Sequence, residues 1–169
     1  LIRKKLNIIN RLKADNACLK QDMEKQRKRL QDYAREYYAM GNECITQARD
    51  ARAALANYDK ALELYPEYTD AWVRKGVTLF NENQYQEAEE CLNRAVRLRP
   101  AEFKTVHNRG KLRLKLGNIE GAIADLDKAT TLKPEHAGAH ELFGDALMQT
   151  GKEVEAALQW RLAEELRKK

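Results

Sequence analysis

The apolar and small residues of this chain recur at an interval of 34 positions over most of its length. Within the stretch from Ala71 to Pro100, the recurring positions carry Trp72, Gly76, Ala88, Leu92, Ala95 and Pro100. The same positions one period later carry Val106, Gly110, Ala122, Leu126, Ala129 and Pro134. A fixed period of this length is typical of a solenoid in which each repeat is a hairpin of two helices.

The period extends in both directions from that central stretch. Towards the C-terminus the matching residues are His140, Gly144, Ala156, Trp160 and Ala163, and towards the N-terminus they are Ala54, Tyr58, Ala61 and Pro66. Small residues allow the two helices of a hairpin to approach closely, and proline ends the second helix. Gly41 lies 35 residues before Gly76, so we expect the first copy to hold one extra residue between its two helices.

This register resembles the tetratricopeptide repeat, in four tandem copies over residues 34–68, 69–102, 103–136 and 137–169. The resemblance implies an all-α fold, a right-handed solenoid of helical hairpins in which the first helices line a concave groove. It also implies a protein that holds other proteins, and it names no partner.

Two copies depart from the family's pattern. In the third, Arg109 and Arg113 stand where the family has a leucine and an aromatic residue. We expect neighbouring leucines to compensate in the core, and these are Leu112, Leu114 and Leu116. In the fourth, Leu158 and Leu162 stand one helical turn apart where the family has charges, which is typical of a contact surface.

The first 33 residues contain neither glycine nor proline, and their apolar residues follow a heptad. With Ile2 at position a, the seam formed by positions a and d predicts a coiled-coil dimerisation helix over residues 1–33. The seam residues that we expect to make the contact are Ile2, Ile9, Leu12, Asn16, Leu19, Met23, Leu30 and Tyr33. Since nothing breaks the helix before Met40, we expect one helix of about 40 residues, roughly 60 Å long, that also supplies the first helix of the first repeat.

The polar residues of this segment favour a parallel homodimer. A buried Asn16 at position a pairs with its own copy and selects that arrangement. In a parallel dimer Asp15 would face Lys20 of the second copy, and Asp22 would face Arg27, so both flanking pairs have opposite sign. Each exposed pair contributes only about 0.2–1 kcal/mol, so the pairs select orientation more than they supply stability.

Positive charge is concentrated in the same segment. Residues 1–30 hold ten Lys and Arg against three Asp and Glu, whereas the remainder holds 21 against 23. Two other interpretations stay open: a basic amphipathic helix folded onto its own repeats, and a basic helix that binds nucleic acid or an anionic membrane. We expect neither nucleic acid nor membrane as partner, because no aromatic residue precedes Tyr33 and the basic residues are spread around the helix.

Enzymatic chemistry and cofactors have little support. The chain contains no serine and no glycine-rich phosphate loop. His136 and His140 lie four residues apart, but no third ligand accompanies them, so we expect neither a metal site nor a catalytic one. We therefore predict a protein that is not an enzyme and binds no cofactor.

Location is indicated only indirectly. No apolar run is long enough to span a membrane, and no secretory signal is visible. The three cysteines Cys18, Cys44 and Cys91 match no zinc spacing, which favours a reducing, cytoplasmic setting. Because the chain begins at Leu1 rather than Met, we expect it to be part of a longer protein.

The groove should be lined by one face of each first helix. The helical period places these residues on that face: Tyr38, Asn42, Val73, Arg74, Val77, Phe80, Lys104, His107, Asn108, Lys111 and Lys115. Its middle is basic, whereas the last repeat contributes Glu141 and Asp145. We therefore expect a protein or peptide partner with an acidic stretch over the second and third repeats; an unused groove of solvated charges is the alternative.

One groove chemistry of the family can be compared residue by residue. Some members clamp the C-terminal carboxylate of chaperones with lysine, asparagine and arginine side chains. Asn42 and Lys104 match that pattern, whereas Tyr38, Arg74 and Asn108 replace the remaining clamp residues. Function is therefore interpreted as a protein-interaction scaffold or adaptor, with chaperone-like carboxylate binding and structural self-assembly as alternatives.

Overall fold

The computed structural model describes the backbone of residues 2–168 and the side chains of residues 11–168, and this range contains helices and turns without a strand. The first helix, α1, runs unbroken over Ile2–Glu43 and continues into a π-helical turn over Cys44–Ala48, which we call the π-turn. The prediction of one long helix that joins the N-terminal segment to the first repeat is therefore confirmed.

Seven further helices complete the described chain: α2 (Ala51–Leu64), α3 (Thr69–Asn81), α4 (Tyr85–Leu98), α5 (Phe103–Lys115), α6 (Ile119–Leu132), α7 (Ala137–Met148) and α8 (Glu153–Arg167). They pack as consecutive hairpins, the end of α1 with α2, α3 with α4, α5 with α6, and α7 with α8. Each hairpin also contacts the next, and α3 contacts α5 as α5 contacts α7. The predicted all-α solenoid is confirmed, with the first helices on its inner side.

The turn inside each hairpin contains one residue in the left-handed region of the backbone. These residues are Arg49, Asn83, Gly117 and Gly151, with φ of 52°, 61°, 77° and 75°. They are spaced by 34 residues, so the extra residue of the first copy must lie between Gly41 and Arg49. It is absorbed in the π-turn, where the Arg49 N–H donates to the Cys44 carbonyl five residues earlier. The insertion therefore lies at the end of α1 rather than in the connection to α2.

Each hairpin is closed by a large side chain against a glycine. A Cβ on Gly41 would lie 2.5 Å from the Tyr58 ring, and one on Gly110 would lie 2.8 Å from Leu126. Tyr58 and Leu126 are fully buried, and burial of side chains of this size contributes about 1.5–3 kcal/mol each. The predicted close approach at the small residues is therefore present.

The third hairpin is stabilised partly as expected and partly by charge. Leu112 is fully buried and Leu114 packs against the core, whereas Leu116 is exposed at the end of α5. In addition, Arg109 and Arg113 turn inward and donate to the buried carboxylate of Asp125 on α6. The ionic part of the compensation therefore comes from a carboxylate 12 to 16 residues further along the chain.

The outer end of the fourth hairpin is partly apolar. Leu158 is exposed and Leu162 is half-buried, so only the first of the two predicted leucines is freely accessible.

None of the helices in residues 2–168 combines the length and apolar character needed to cross a membrane.

Candidate functional site

The inner face of the solenoid carries three clefts. The π-turn cleft, of about 410 Å³, lies between the end of α1, the π-turn and α3. The middle cleft, of about 200 Å³, lies among α1, α3 and α5 and shares Arg74 and Val77 with the first. The apolar cleft, of about 340 Å³, lies among α3, α5 and α7. The first two clefts adjoin, and all three are lined mainly by residues of the first helices.

The middle cleft gathers most of the predicted groove residues. Its walls are formed by Tyr38, Asp70, Val73, Arg74, Val77, Lys104 and Asn108. The Tyr38 ring is fixed by tilted contacts with Tyr68 and Tyr58, at centroid distances of 5.0 and 6.1 Å. The Arg74 guanidinium and the Lys104 ammonium can donate hydrogen bonds to a carboxylate, and Asp70 offsets part of their positive charge.

The apolar cleft can hold an aliphatic side chain beneath a cationic rim. Phe80, Leu114 and Leu142 line it, together with Lys111 and Lys115. The Lys111 ammonium lies 5.3 Å from the centroid of the Phe80 ring, a cation–π distance that holds the lysine over the aromatic face.

Polar side chains form much of the wall of the π-turn cleft. The Tyr58 hydroxyl donates to Asn42 Oδ1 at 2.9 Å, which fixes the asparagine amide at the cleft wall. Burial raises the pKa of Tyr58, and the nearby Arg74 guanidinium acts in the opposite direction. Tyr58 therefore remains a neutral hydroxyl donor at physiological pH.

His107 does not lie in these clefts, unlike the other ten predicted groove residues. Its ring stacks on Phe103 at 5.1 Å and meets the edge of His136 at 5.2 Å. Its Nε2 atom is buried without a hydrogen-bond partner. Burial, with contributions from His136 and Lys111, lowers the pKa of His107 to about 4, so the ring is neutral at physiological pH.

The other two histidines have structural contacts. His136 precedes α7 and its Nδ1 accepts from the Ala139 N–H at 3.1 Å. His140 is buried, with Nδ1 at 2.7 Å from the Gln159 side chain and Nε2 at 2.9 Å from the Pro134 carbonyl. Among the residues whose side chains are described, no group of three or more His, Cys, Asp or Glu could hold a metal ion.

The acidic residues at the far end of the groove are engaged within the fourth hairpin. Arg167 donates to Glu141 at 2.5 Å, and Trp160 Nε1 donates to Asp145 at 3.0 Å. Glu141 is therefore neutralised locally, which weakens the repulsion that it would exert on an acidic ligand.

From Leu12 to Tyr33 the predicted coiled-coil seam is open to solvent in the isolated chain. Every side chain from residue 11 to residue 30 is exposed, and the first buried one is Ala34. Leu19 and Met23 are 60% and 71% exposed. The seam stays free as far as Tyr33, whereas Tyr37 is half-buried beneath Lys60. Ile2 and Ile9 lie outside the described side chains.

The flanking charges of this helix also have partners within the chain. Asp22 lies 3.9 Å from Lys25, and Arg27 lies 3.8 Å from Glu67 in the loop before α3. All four side chains are largely exposed, so these pairs are weak and leave Asp22 and Arg27 available to a second copy.

Sequence reasoning missed several residues of the π-turn cleft, namely Thr46, Arg49, Thr78 and Glu82. Two signals could have found them. The spacing from Gly41 to Gly76 is one residue too long, and position 49 carries arginine where the other hairpins carry Asn83, Gly117 and Gly151.

Family models of the tetratricopeptide repeat match residues 47–103 and 76–142. The chain belongs to the tetratricopeptide repeat family. It is 31% identical over 133 residues to the human FK506-binding protein-like, a match that covers 74% of this chain and 38% of that protein. The chain therefore spans well under half the length of that curated relative.

Two solved structures of repeat proteins share the architecture. MamA from Desulfovibrio magneticus RS-1 is 26% identical, with a TM-score of 0.71 over 92% of each chain. YrrB, described as a TPR protein with an unusual peptide-binding site, is 27% identical, with a TM-score of 0.69 over 77% of this chain and 66% of its own.

Proposed function

We propose that this protein is a non-enzymatic adaptor whose inner groove binds a peptide segment of a protein partner. The observation that carries the proposal is that ten of the eleven predicted groove residues line three clefts on one face. The similarity to YrrB, a repeat protein with a peptide-binding site, supports a peptide as the ligand.

The charges of the groove indicate an acidic peptide with an apolar anchor. Arg74, Lys104, Lys111 and Lys115 line the middle and apolar clefts, with Asp70 as the one acidic residue among the lining side chains of those two clefts. Charges at a rim mainly raise the association rate, and a buried apolar anchor sets the residence time. Phe80, at the apolar cleft, is therefore the residue that should hold the anchor.

The experiment is a pull-down of partners from lysate by the chain, followed by binding measurements with charge-reversal variants. Arg74→Glu combined with Lys104→Glu should abolish binding of a groove ligand. The matched control is Arg97→Glu combined with Lys128→Glu, which reverses two exposed charges on second helices. Equal binding by the groove variant and the wild type would exclude the inner face as the site.

We also propose that the exposed seam of α1 forms a parallel homodimer that displays two grooves. Two linked sites raise the avidity for a multimeric partner without any new contact. Asn16→Ile should raise thermal stability and loosen the choice of oligomer, because a buried polar pair is exchanged for apolar packing. Light scattering that shows a monomer at tens of micromolar would exclude the dimer.

The proposed location is the cytoplasm. Cys18, Cys44 and Cys91 are free thiols in the structure, which is compatible with a reducing compartment.

A further inference from the structure

Position 49 differs chemically from its counterparts in the other three hairpins. All four turn residues lie in the left-handed region, which glycine and asparagine adopt readily and a long L side chain does not. The other hairpins have Asn83, Gly117 and Gly151 there, whereas the first has Arg49. Strained backbone of this kind clusters at functional sites, which points to a role for the Arg49 side chain.

The Arg49 side chain lines the π-turn cleft together with Arg74. Within the described residues neither guanidinium has a carboxylate within 4.0 Å, and neither makes a side-chain hydrogen bond. Glu82 is the one acidic residue among the cleft's lining side chains, so the cleft has an excess of one positive charge. Asn42 and Asn81 add amide groups, and Ile45 and Val77 add apolar wall.

We propose that the π-turn cleft is a separate subsite that holds one acidic side chain of the bound peptide between Arg49 and Arg74. Planar guanidinium groups match a carboxylate with paired, charge-assisted hydrogen bonds. One excess positive charge balances a single carboxylate and leaves a doubly charged phosphate under-compensated. The inference rests on the proposed function, since the acidic side chain reaches the cleft as part of a peptide in the groove.

The subsite is a consequence of the one-residue insertion in the first hairpin. Among the four turns of the described chain, the first alone contains a π-helical segment, and Ile45 and Thr46 of that segment line the cleft. The π-turn cleft adjoins the middle cleft at Arg74 and Val77, which line both, whereas Tyr38 and Lys104 line only the middle cleft of the two. A peptide across the first helices can therefore place one acidic residue here and others over the middle cleft.

The test uses a small probe that carries one side-chain carboxylate, N-acetylglutamic acid N-methylamide, titrated into the full chain and followed by NMR. The Arg49 and Arg74 Nε–H signals and the Thr78 amide should shift together. Arg49→Gly keeps the left-handed backbone and removes the guanidinium, so the affinity should fall about tenfold without loss of fold. The matched control Asn83→Gly changes the equivalent turn and should leave the affinity unchanged, and Glu82→Gln should raise it.

Four results would overturn the subsite: unchanged affinity in Arg49→Gly, equal binding of the N-acetylglutamine N-methylamide probe, shifts confined to Lys104 and Lys111, or tighter binding of inorganic phosphate. The two proposals fail separately. If Arg74→Glu with Lys104→Glu leaves the natural partner bound, the groove proposal fails whatever the probe does. If that double variant releases the partner while Arg49→Gly changes neither partner nor probe binding, the subsite alone is wrong.

Discussion

The third and fourth hairpins fill equivalent interior positions with different chemistry. The positions hold Arg109, Arg113 and Asp125 in the third hairpin, and one period later they hold Phe143, Leu147 and Gln159. Asp125 is 4% exposed and accepts from Arg109 at 2.7 and 2.8 Å and from Arg113 at 2.9 Å. Phe143 and Leu147 instead belong to an apolar cluster.

The comparison shows that a helical hairpin of this fold can enclose either an apolar pair or a complete ionic set at these positions. Arg109 also donates to Asn93 of the preceding hairpin at 3.1 Å, so the ionic set joins two repeats. A buried ion pair has a desolvation cost that can equal its attraction, so its presence alone is weak evidence for stability. Its removal one partner at a time is the damaging change, because a buried charge is left without compensation.

The largest effect is expected for Asp125→Leu. This change leaves Arg109 and Arg113 half-buried with no carboxylate, and it should lower the free energy of unfolding by about 3–5 kcal/mol. Urea denaturation followed by circular dichroism measures the loss. Asp127→Leu, on the exposed side of the same helix, is the control and should cost far less. A loss below about 1 kcal/mol for Asp125→Leu would mean that water solvates the two guanidiniums.

The second prediction converts the third hairpin to the chemistry of the fourth. Arg109→Phe, Arg113→Leu and Asp125→Leu together should leave stability unchanged or raise it by about 1–4 kcal/mol. Position 125 receives leucine rather than the glutamine found at the equivalent position 159. Gln159 forms a hydrogen bond with His140, and the residue equivalent to His140 in the third hairpin is Val106, whose side chain has no polar atom to bond a glutamine. If the triple variant is as unstable as Asp125→Leu alone, the ionic set has a packing role that apolar residues do not replace.

The architecture could be predicted from the sequence because the same residue pattern recurs in every repeat. The 34-residue register places Tyr58, Leu92 and Leu126 at equivalent positions, and all three are fully buried. The ionic set does not follow from the resemblance, because the family has an apolar pair at the positions of Arg109 and Arg113 and therefore indicates no carboxylate partner for them. Charge complementarity within one hairpin would have supplied that link.

The inner face could be predicted from the sequence in outline, and whether it binds a ligand stays a prediction. Helical periodicity places residues on a face, and ten of eleven predicted residues line the inner clefts. His107 lies elsewhere because its ring packs on Phe103 of the same helix and on His136, and the second contact joins α5 to the start of α7. The π-turn was missed since periodicity counts an extra residue without indicating the conformation that absorbs it.

The third prediction concerns the junction of the two hairpins, where His107 lies. Its pKa in the fold is about 4, below the value of 6.5 for the free side chain, so only the unfolded chain binds the proton between these values. Stability should be full above pH 6.5 and should decline as the pH falls towards 4. The loss should be about 1–3 kcal/mol, reduced from the full linkage value because water reaches part of the ring.

Urea denaturation of wild type and His107→Phe across this pH range measures the effect. Phenylalanine keeps the stack on Phe103 but does not titrate, so the difference between the two stability curves isolates the histidine. Parallel curves would mean that the ring accepts a proton in the folded protein.

The smallest effect should come from the link between repeats. Asn93→Ala removes one acceptor from Arg109, which keeps both bonds to Asp125, so we expect a loss of about 1 kcal/mol. The equivalent residue of the next repeat is Asp127, and the position that corresponds to Arg109 there is Phe143. Asp127→Ala should therefore be close to neutral. Equal losses in the two variants would show that the acceptor at this position acts within its own helix, and that the ionic set does not join the second hairpin to the third.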